Sequence, residues 1–169
     1  QTQSIMNEEN AEYWIEQLNL QKHPEGGYYA NLYRSTEAFP GDKLPQRFGG
    51  SRPLFSSIYY LLPSGDISAF HRLQADEIWH YYRGSSMVIY TIAPDGTLQQ
   101  RKLGPFPAEG EVLQALVPHN HWLAVEVDSP DHFSLAGCTL APGFVFEDFE
   151  LARREQLVLQ FPQHQKLIE

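Results

Sequence analysis

The sequence predicts an all-β domain, either a sandwich or a small barrel, on the basis of three observations. Short strand-like runs follow one another between residues 54 and 151. Turn signals separate them, among them Pro63-Ser64-Gly65 and Pro94-Asp95-Gly96. Aromatic side chains, which favour β-structure, make up 13% of the chain. Closely spaced short strands joined by such turns are typical of sandwiches and barrels.

Helical periodicity is confined to the two ends of the chain. Apolar residues recur at helical spacing in residues 7–20, so residues 1–22 are predicted to form a helical lead-in with Asn7 as the cap. Helical spacing returns in residues 152–169, where Pro162 interrupts it, and we expect this tail to pack outside the sheets. Residues 1–169 are therefore predicted to form a single domain.

The charge balance argues against two classes of partner. The formal net charge is -9, with 21 acidic and 12 basic residues, so we expect no binding to nucleic acid or to a membrane surface. The single cysteine, Cys138, excludes an internal disulfide and a cysteine-based zinc site. Without a long apolar run or a signal-peptide core, the sequence predicts a cytoplasmic location.

Two neighbouring runs concentrate ionisable and aromatic side chains. In residues 67–73, alternation places His71 on an otherwise apolar face, where a histidine is either a hydrogen-bonded core residue or a pocket residue. In residues 77–83, one face carries Glu77, Trp79 and Tyr81. The other face of the same run carries Ile78, His80 and Tyr82.

The spacing of five positions in and around these runs resembles the first cupin motif at every interval. The five positions are Gly65, His71, Leu73, Glu77 and Gly84. The resemblance implies a double-stranded β-helix, or jelly-roll barrel, with a small-molecule pocket around His71 and Glu77.

The chain departs from metal-binding cupins at two of the four ligand positions. Leu73 stands where such cupins have a second histidine. Residues 118–123 resemble the second cupin motif, with Asn120 in place of glycine and Leu123 at the histidine position. A transition-metal site normally needs three protein ligands, so we expect no cofactor. If a metal is bound, His71 and Glu77 are the predicted ligands.

A closer resemblance covers nearly the whole chain. It is to a branch of the cupin superfamily that is defined by its fold and not by a reaction. That branch is structurally similar to epimerases that act on sugar nucleotides. The matching segments are residues 23–29, 33–35, 70–72, 76–80 and 142–144.

The first functional hypothesis is a metal-independent isomerase or epimerase that acts on a sugar or a sugar-nucleotide-like substrate. In this hypothesis His71 is the base, because its pKa lies near ambient pH, and Glu77 orients it. Tyr59 returns the proton from the opposite wall, and Ser57 shares the face of Tyr59. Arg34 holds an anionic group of the ligand, or else forms an ion pair at the rim.

The second hypothesis is a metabolite-binding module without chemistry. In it, Trp79, Tyr81 and Trp122 stack against the ligand, although the same aromatics would also serve as plain barrel filling. A β-bulge would bring His80 into the pocket in place of Tyr81. The third hypothesis, a metal-dependent enzyme, follows from the wider superfamily.

The chain is also predicted to self-associate. Open jelly-roll sheets leave edges that need protection, and Ile78 and Tyr82 give one outer face an apolar character. We therefore expect a homodimer, which light scattering at micromolar concentration would detect.

Overall fold

The structure is a computed structural model that describes residues 10–169. Its helices are α1 (Ala11–Gln17), α2 (Arg154–Gln160) and α3 (Gln165–Ile168). Its strands are β1 (Gln21–Lys22), β2 (Tyr28–Arg34), β3 (Ala38–Phe39), β4 (Arg52–Pro53), β5 (Ser56–Leu62), β6 (Ile67–Arg72), β7 (Asp76–Gly84), β8 (Met87–Ile92), β9 (Leu98–Leu103), β10 (Gln114–Val117), β11 (Trp122–Val127), β12 (Ser134–Ala141) and β13 (Glu150–Leu151).

The strands form two facing sheets and one small ribbon. The first sheet has the order β1-β2-β5-β12-β7-β10 and the second has the order β13-β6-β11-β8-β9, while β3 pairs with β4. From β5 to β8 and again from β10 to β13, successive strands alternate between the two sheets. This alternation is that of a jelly roll, so the predicted all-β barrel with short terminal helices is confirmed.

The terminal helices cover the outer faces of the two sheets. Helix α1 begins after Asn10, whose side chain accepts a hydrogen bond from the Glu12 amide at 2.8 Å. The predicted cap, Asn7, lies outside the described residues. Trp14 packs with Leu61 on the outside of the first sheet. On the outside of the second sheet, the C-terminal helices bury three apolar side chains, Leu157, Phe161 and Ile168.

The space between the sheets is solid at one end and hollow at the other. Met87, Leu103, Leu123 and Val125 are at most 1% exposed and fill the solid end with hydrocarbon. His71 lies beyond this filling, opposite Leu123 in the register of β6 and β11. The polar interior side chains therefore collect at the hollow end of the barrel.

A β-bulge in β6 decides which of its side chains point inward. Val125 pairs with Ser68 and Leu123 pairs with His71, so two residues of β6, Ala69 and Phe70, face one residue of β11. Ser68 and His71 are consequently both buried inside. The alternation predicted for residues 67–73 is wrong at Ile67, which is 59% exposed.

The register of β7 against β12 also contains a bulge. It falls between Tyr81 and Arg83, beyond the functional part of the strand. Glu77 and Trp79 thus keep their inward parity, and His80 stays on the outer face. Ile78 and Tyr82 share that outer face, and each is 38% exposed. The homodimer stays a prediction.

No helix within residues 10–169 has the length and the apolar character that crossing a bilayer requires.

Candidate functional site

The hollow end of the barrel contains a cavity of about 340 Å³. Ligand pockets span roughly 300–1,000 Å³, so the space suits a small metabolite. Strands β2, β5, β6, β7 and β12 form its walls, and residues 144–149 form its mouth. Its polar lining residues are His23, Glu25, Tyr29, Asn31, Arg34, Ser56, Tyr60, His71, Glu77 and Glu147.

A buried ion pair lies on the floor of the cavity. Nε2 of His71 is 2.9 Å from Oε2 of Glu25. His71 is 2% exposed and Glu25 is 8% exposed. At such burial the pair is screened little by water, so each partner strongly affects the protonation of the other.

Both ring nitrogens of His71 are engaged within the protein. Nδ1 is 2.8 Å from the carbonyl oxygen of Ala69 and must donate to it, because a carbonyl only accepts. Nε2 and Glu25 therefore share one further proton. Desolvation by burial lowers the pKa of His71, but the charge and the hydrogen bond of Glu25, the hydrogen bond to Ala69 and the charge of Glu77 together outweigh it, and the net pKa is raised. The raised pKa favours an imidazolium beside the Glu25 carboxylate.

Glu25 reaches His71 because its loop is fastened to β6. The Ala69 amide donates to the Glu25 carbonyl oxygen at 2.9 Å. The hydroxyl of Tyr60 donates to the Gly26 carbonyl oxygen at 2.5 Å. Gly26 has φ +110°, and a Cβ there would lie 2.1 Å from the Ile67 carbonyl oxygen, so only glycine allows this approach.

Glu77 is a second buried carboxyl group of the cavity. It is 6% exposed, and its Oε1 accepts a hydrogen bond from Trp79 Nε1 at 2.6 Å. Desolvation by burial raises the pKa of Glu77 to about 7, although the charge of His71 and the Trp79 hydrogen bond oppose this shift. Glu77 can therefore exchange a proton at neutral pH.

His23 completes the polar floor as a neutral ring. Desolvation by burial lowers its pKa, and the positive charge of His71 adds to this effect against the pull of Glu25. Its Nδ1 accepts the backbone amide of Glu25 at 3.1 Å. That nitrogen consequently has no proton for the Glu25 carboxylate, which lies 3.7 Å away.

A bulge in β2 brings Arg34 to the mouth of the cavity. Asn31 pairs with Ile58 and Tyr33 pairs with Ser57, which leaves Leu32 without a partner in the register. The bulge shifts the parity, so Arg34 faces the same side as Asn31. Both side chains are exposed at the cavity.

A buried ion pair holds the mouth segment in place. Asp148 binds Arg52 through two contacts, 2.7 Å to Nη2 and 2.9 Å to Nε, and both residues are 6% exposed. Arg52 Nη2 also donates to the Phe48 carbonyl oxygen. Phe149, next to Asp148, stacks on the His71 ring with centroids 5.5 Å apart.

The structure brings four of the sequence-predicted site residues to the cavity: His71, Glu77, Trp79 and Arg34. The predicted pairing of His71 with Glu77 is replaced by the pair with Glu25. Glu77 instead binds Trp79, its neighbour on the same face of β7.

Five predicted residues do not line the cavity. Tyr59 and Ser57 lie on the outer face of β5, because its inward residues are Ser56, Ile58 and Tyr60. Tyr59 packs near α1 instead, and Ser57 Oγ lies 3.2 Å from Thr139 Oγ1. The prediction that Tyr59 and Ser57 face the cavity is therefore wrong, because the inward side of β5 is occupied by the residues next to them.

The other three occupy different surroundings. His80 lies outside, with Nε2 3.3 Å from the hydroxyl of Thr139. Tyr81 packs against the solid end of the core, and its hydroxyl donates to the Gly84 carbonyl oxygen at 2.7 Å. Trp122 faces the C-terminal helices, under the guanidinium of Arg72.

Sequence reasoning missed Glu25, His23 and Tyr29 as parts of the site. The available signal was the compact, glycine-containing segment of residues 23–29, which is one of the segments that carry the family resemblance. Gly26 allows this turn to approach β6 closely, so the polar side chains of the turn also lie next to β6.

The donor set does not fit a transition-metal site. Leu73 and Leu123 offer no ligand atoms, and Leu123 is 1% exposed in the hydrocarbon filling. Within residues 10–169, no group of three or more His, Cys, Asp and Glu side chains has an arrangement suited to a metal ion. His71 is bound to Glu25 instead.

Solved structures that are similar to this chain over nearly its whole length include the following two. A protein from Shewanella oneidensis shares 43% identity with a TM-score of 0.85, and the match covers 94% of each chain. A hypothetical protein from Leishmania major shares 32% identity with a TM-score of 0.86, covering 94% of this chain and 96% of that one.

A more distant structure shows the fold alone. Oxalate decarboxylase from Bacillus subtilis shares 14% identity and a TM-score of 0.54, covering 87% of this chain and 35% of that one. No match was found among the curated proteins. Residues 12–152 match the family described as Cupin superfamily (DUF985), and the chain belongs to that family.

Proposed function

We infer that this cupin is an isomerase or epimerase that moves a proton on a small carbonyl compound of the sugar type, without a metal. The observation that carries the proposal is the pair of His71 and Glu25, 2.9 Å apart, beside the buried Glu77. Buried carboxyl and imidazole groups with shifted pKa values in a cavity are characteristic of acid-base sites.

Glu77 is the proton carrier in this proposal. A base works best when its pKa is near ambient pH, and that of Glu77 is about 7. The Glu77 carboxylate takes a proton from the carbon next to the substrate carbonyl. The C–H electron pair moves towards the carbonyl oxygen and gives an enolate. Return of the proton to the other face of the same carbon completes an epimerisation. In an isomerisation the proton of the adjacent hydroxyl moves to the former carbonyl oxygen, and Glu77 returns its proton to the former carbonyl carbon.

The imidazolium of His71 stabilises the enolate electrostatically. Both of its ring nitrogens are already hydrogen-bonded, one to Ala69 and one to Glu25, so His71 acts as a positioned charge and not as the base. Tyr29 lines the cavity and is the candidate for proton return in an epimerisation. Tyr60 is unsuited to that role, because burial raises its pKa and its hydroxyl is bound to Gly26.

The test is proton exchange in D2O. Wild-type protein is incubated with a panel of ketoses and 2-keto acids, and ¹H NMR follows loss of the proton next to the carbonyl. We expect Glu77→Gln to slow exchange by about 100-fold or more, which is the scale of general acid-base catalysis. Glu126→Gln, which alters a carboxyl group bound to Tyr90 outside the cavity, should leave the exchange rate unchanged. Equal exchange in Glu77→Gln and wild type would contradict the proposal.

The second candidate is a binding module without turnover. The observation in its favour is that both ring nitrogens of His71 are already hydrogen-bonded. In that case ligand affinity would fall in Glu77→Gln, and no compound of the panel would exchange its proton. A metal-dependent reaction is disfavoured by the apolar side chains at positions 73 and 123.

A further inference from the structure

We propose that the ligand of the cavity carries an anionic group, a carboxylate or a phosphate, which Arg34 and Asn31 bind at the mouth. This inference rests on the proposed use of the cavity as a ligand site and specifies the class of ligand. It does not depend on whether the ligand reacts.

The first step is the position of Arg34. Its side chain would face away from the cavity if β2 alternated regularly from Asn31, and the extra residue Leu32 turns it back towards the cavity. Bulges of this kind re-aim side chains next to functional sites. Of the described residues that line the cavity, Arg34 alone is an arginine or lysine.

The second step is the lack of an internal partner for that charge. The chain has 21 acidic and 12 basic residues, so carboxylates outnumber the basic side chains that could pair with them. Even so, no ion pair or hydrogen bond joins the Arg34 side chain to another of residues 10–169. Glu147 lines the same cavity without pairing to it. The planar donor fork of Arg34 is thus available to a bidentate oxyanion.

The third step is the charge along the cavity. On the floor, the charges of His71 and Glu25 offset each other, while Glu77 is partly neutral at neutral pH. An anionic group therefore gains most at the mouth, where Arg34 is the positive side chain. Asn31, next inward on the same face, offers an amide N–H₂ as a further donor.

The geometry also sets the length of the ligand. Tyr60 and Ser56, the β5 partners of Tyr29 and Arg34, stand four positions apart, which is about 13 Å along an extended strand. An anionic group at Arg34 and a ligand group at the level of Tyr60 are then separated by several bonds, as the two ends of a sugar-sized molecule are.

The experiment observes the arginine Nε–H resonances of ¹⁵N-labelled protein by NMR. Inorganic phosphate and acetate are added in separate titrations, with sodium chloride as the ionic-strength control. We expect the Arg34 resonance to shift with a saturable curve for at least one of the two anions. The anion with the lower Kd identifies the phosphate or the carboxylate class. The resonance of Arg101, an exposed arginine of β9, serves as the internal reference for non-specific contact.

Variants separate the site from general charge effects. Arg34→Gln should weaken anion binding, followed on the Asn31 side-chain amide, at least tenfold. Arg34→Lys should retain part of it, and Arg101→Gln should leave it unchanged. The proposal is overturned if the Arg34 resonance responds to neither anion, if Arg101 responds equally, or if Arg34→Gln binds as wild type does.

The outcome is distinguishable from failure of the proposed function. Anion binding that needs Arg34, together with no proton exchange in D2O, supports this inference and contradicts the isomerase. Proton exchange on neutral ketoses without an Arg34-dependent anion effect supports the isomerase and overturns this inference.

Discussion

The imidazole of His71 and the carboxylate of Glu25 lie 2.9 Å apart, and both are buried on the floor of the cavity. One ring nitrogen faces this carboxylate, and the other is held by the carbonyl of Ala69. The barrel therefore fixes the orientation and the charge of His71 before any ligand enters. Preorganised charge of this kind is what an acid-base site requires.

Removal of the Glu25 charge should reverse the pKa shift of His71. In Glu25→Gln the attraction that raises the pKa is lost and the desolvation that lowers it remains. We expect the His71 pKa, measured by NMR titration of the ring protons, to be clearly lower in Glu25→Gln than in the wild type. Exposed Glu155→Gln on α2 is the control and should leave the pKa unchanged. A His71 pKa that is the same in Glu25→Gln and in the wild type would show that the pair does not hold the proton.

The raised pKa of His71 also determines how the free energy of unfolding changes with pH. Because the folded pKa of His71 is raised, its contribution to the free energy of unfolding is complete below the unfolded pKa. It is lost as the pH rises through the folded pKa. Glu25→Gln should therefore lose most stability, relative to wild type, on the acid side of neutrality.

Glu77 makes the wild type less stable as the pH rises from about 4.5 to about 7, because its folded pKa is raised across that interval. The unfolded chain releases this proton first, so unfolding is favoured progressively. Over this range we expect the free energy of unfolding of the wild type to fall by about 3 kcal/mol relative to Glu77→Gln, which cannot ionise. Urea denaturation at a series of pH values measures the difference. Parallel curves for the two proteins would contradict the raised pKa.

The fold and part of the site followed from local sequence patterns. Gly65 and Gly84 both have positive φ, as the turns of the resembled motif require. His71 and Glu77 line the cavity, as alternation and motif spacing predicted. These features depend on neighbours within a few residues, and the sequence displays such neighbours directly.

The rest of the site depends on register and on distant pairing. The choice between Tyr59 and Tyr60 depends on one residue of alternation, and a slip of one residue reverses every side chain of a strand. The bulge at Leu32 turns Arg34 inward, and it cannot be recognised from the pattern of polar and apolar residues. Glu25 meets His71 only because its loop docks on β6, a contact between residues far apart in the chain.

The Arg52–Asp148 pair should contribute strongly to the stability of the mouth. Both side chains are buried, so removing Asp148 leaves an unpaired buried guanidinium, which typically costs about 3–5 kcal/mol. Asp148→Ala should lower the free energy of unfolding by this order in urea denaturation. The double variant Arg52→Met/Asp148→Leu should recover much of the loss.

The exposed pair of Lys102 and Asp128, at 2.7 Å, is the matched control, because water screens its charges. Asp128→Ala should have a far smaller effect than Asp148→Ala. Equal losses in the two variants would mean that burial does not decide the strength of the Arg52–Asp148 pair.

Gly26→Ala should damage the site more than Gly65→Ala, although both glycines have positive φ. At Gly65 a Cβ meets no atom within 4 Å, so the cost is the backbone strain alone, about 1–2 kcal/mol. At Gly26 the Cβ would lie 2.1 Å from the Ile67 carbonyl oxygen, so the loop must also lift away from β6. Because Glu25 is carried by this loop, lifting it separates the carboxylate from His71. We expect Gly26→Ala to lose clearly more stability in urea and to lower the His71 pKa in NMR titration, whereas Gly65→Ala should leave that pKa unchanged. If the two alanine variants behave alike, the docking of the Glu25 loop on β6 does not position the pair.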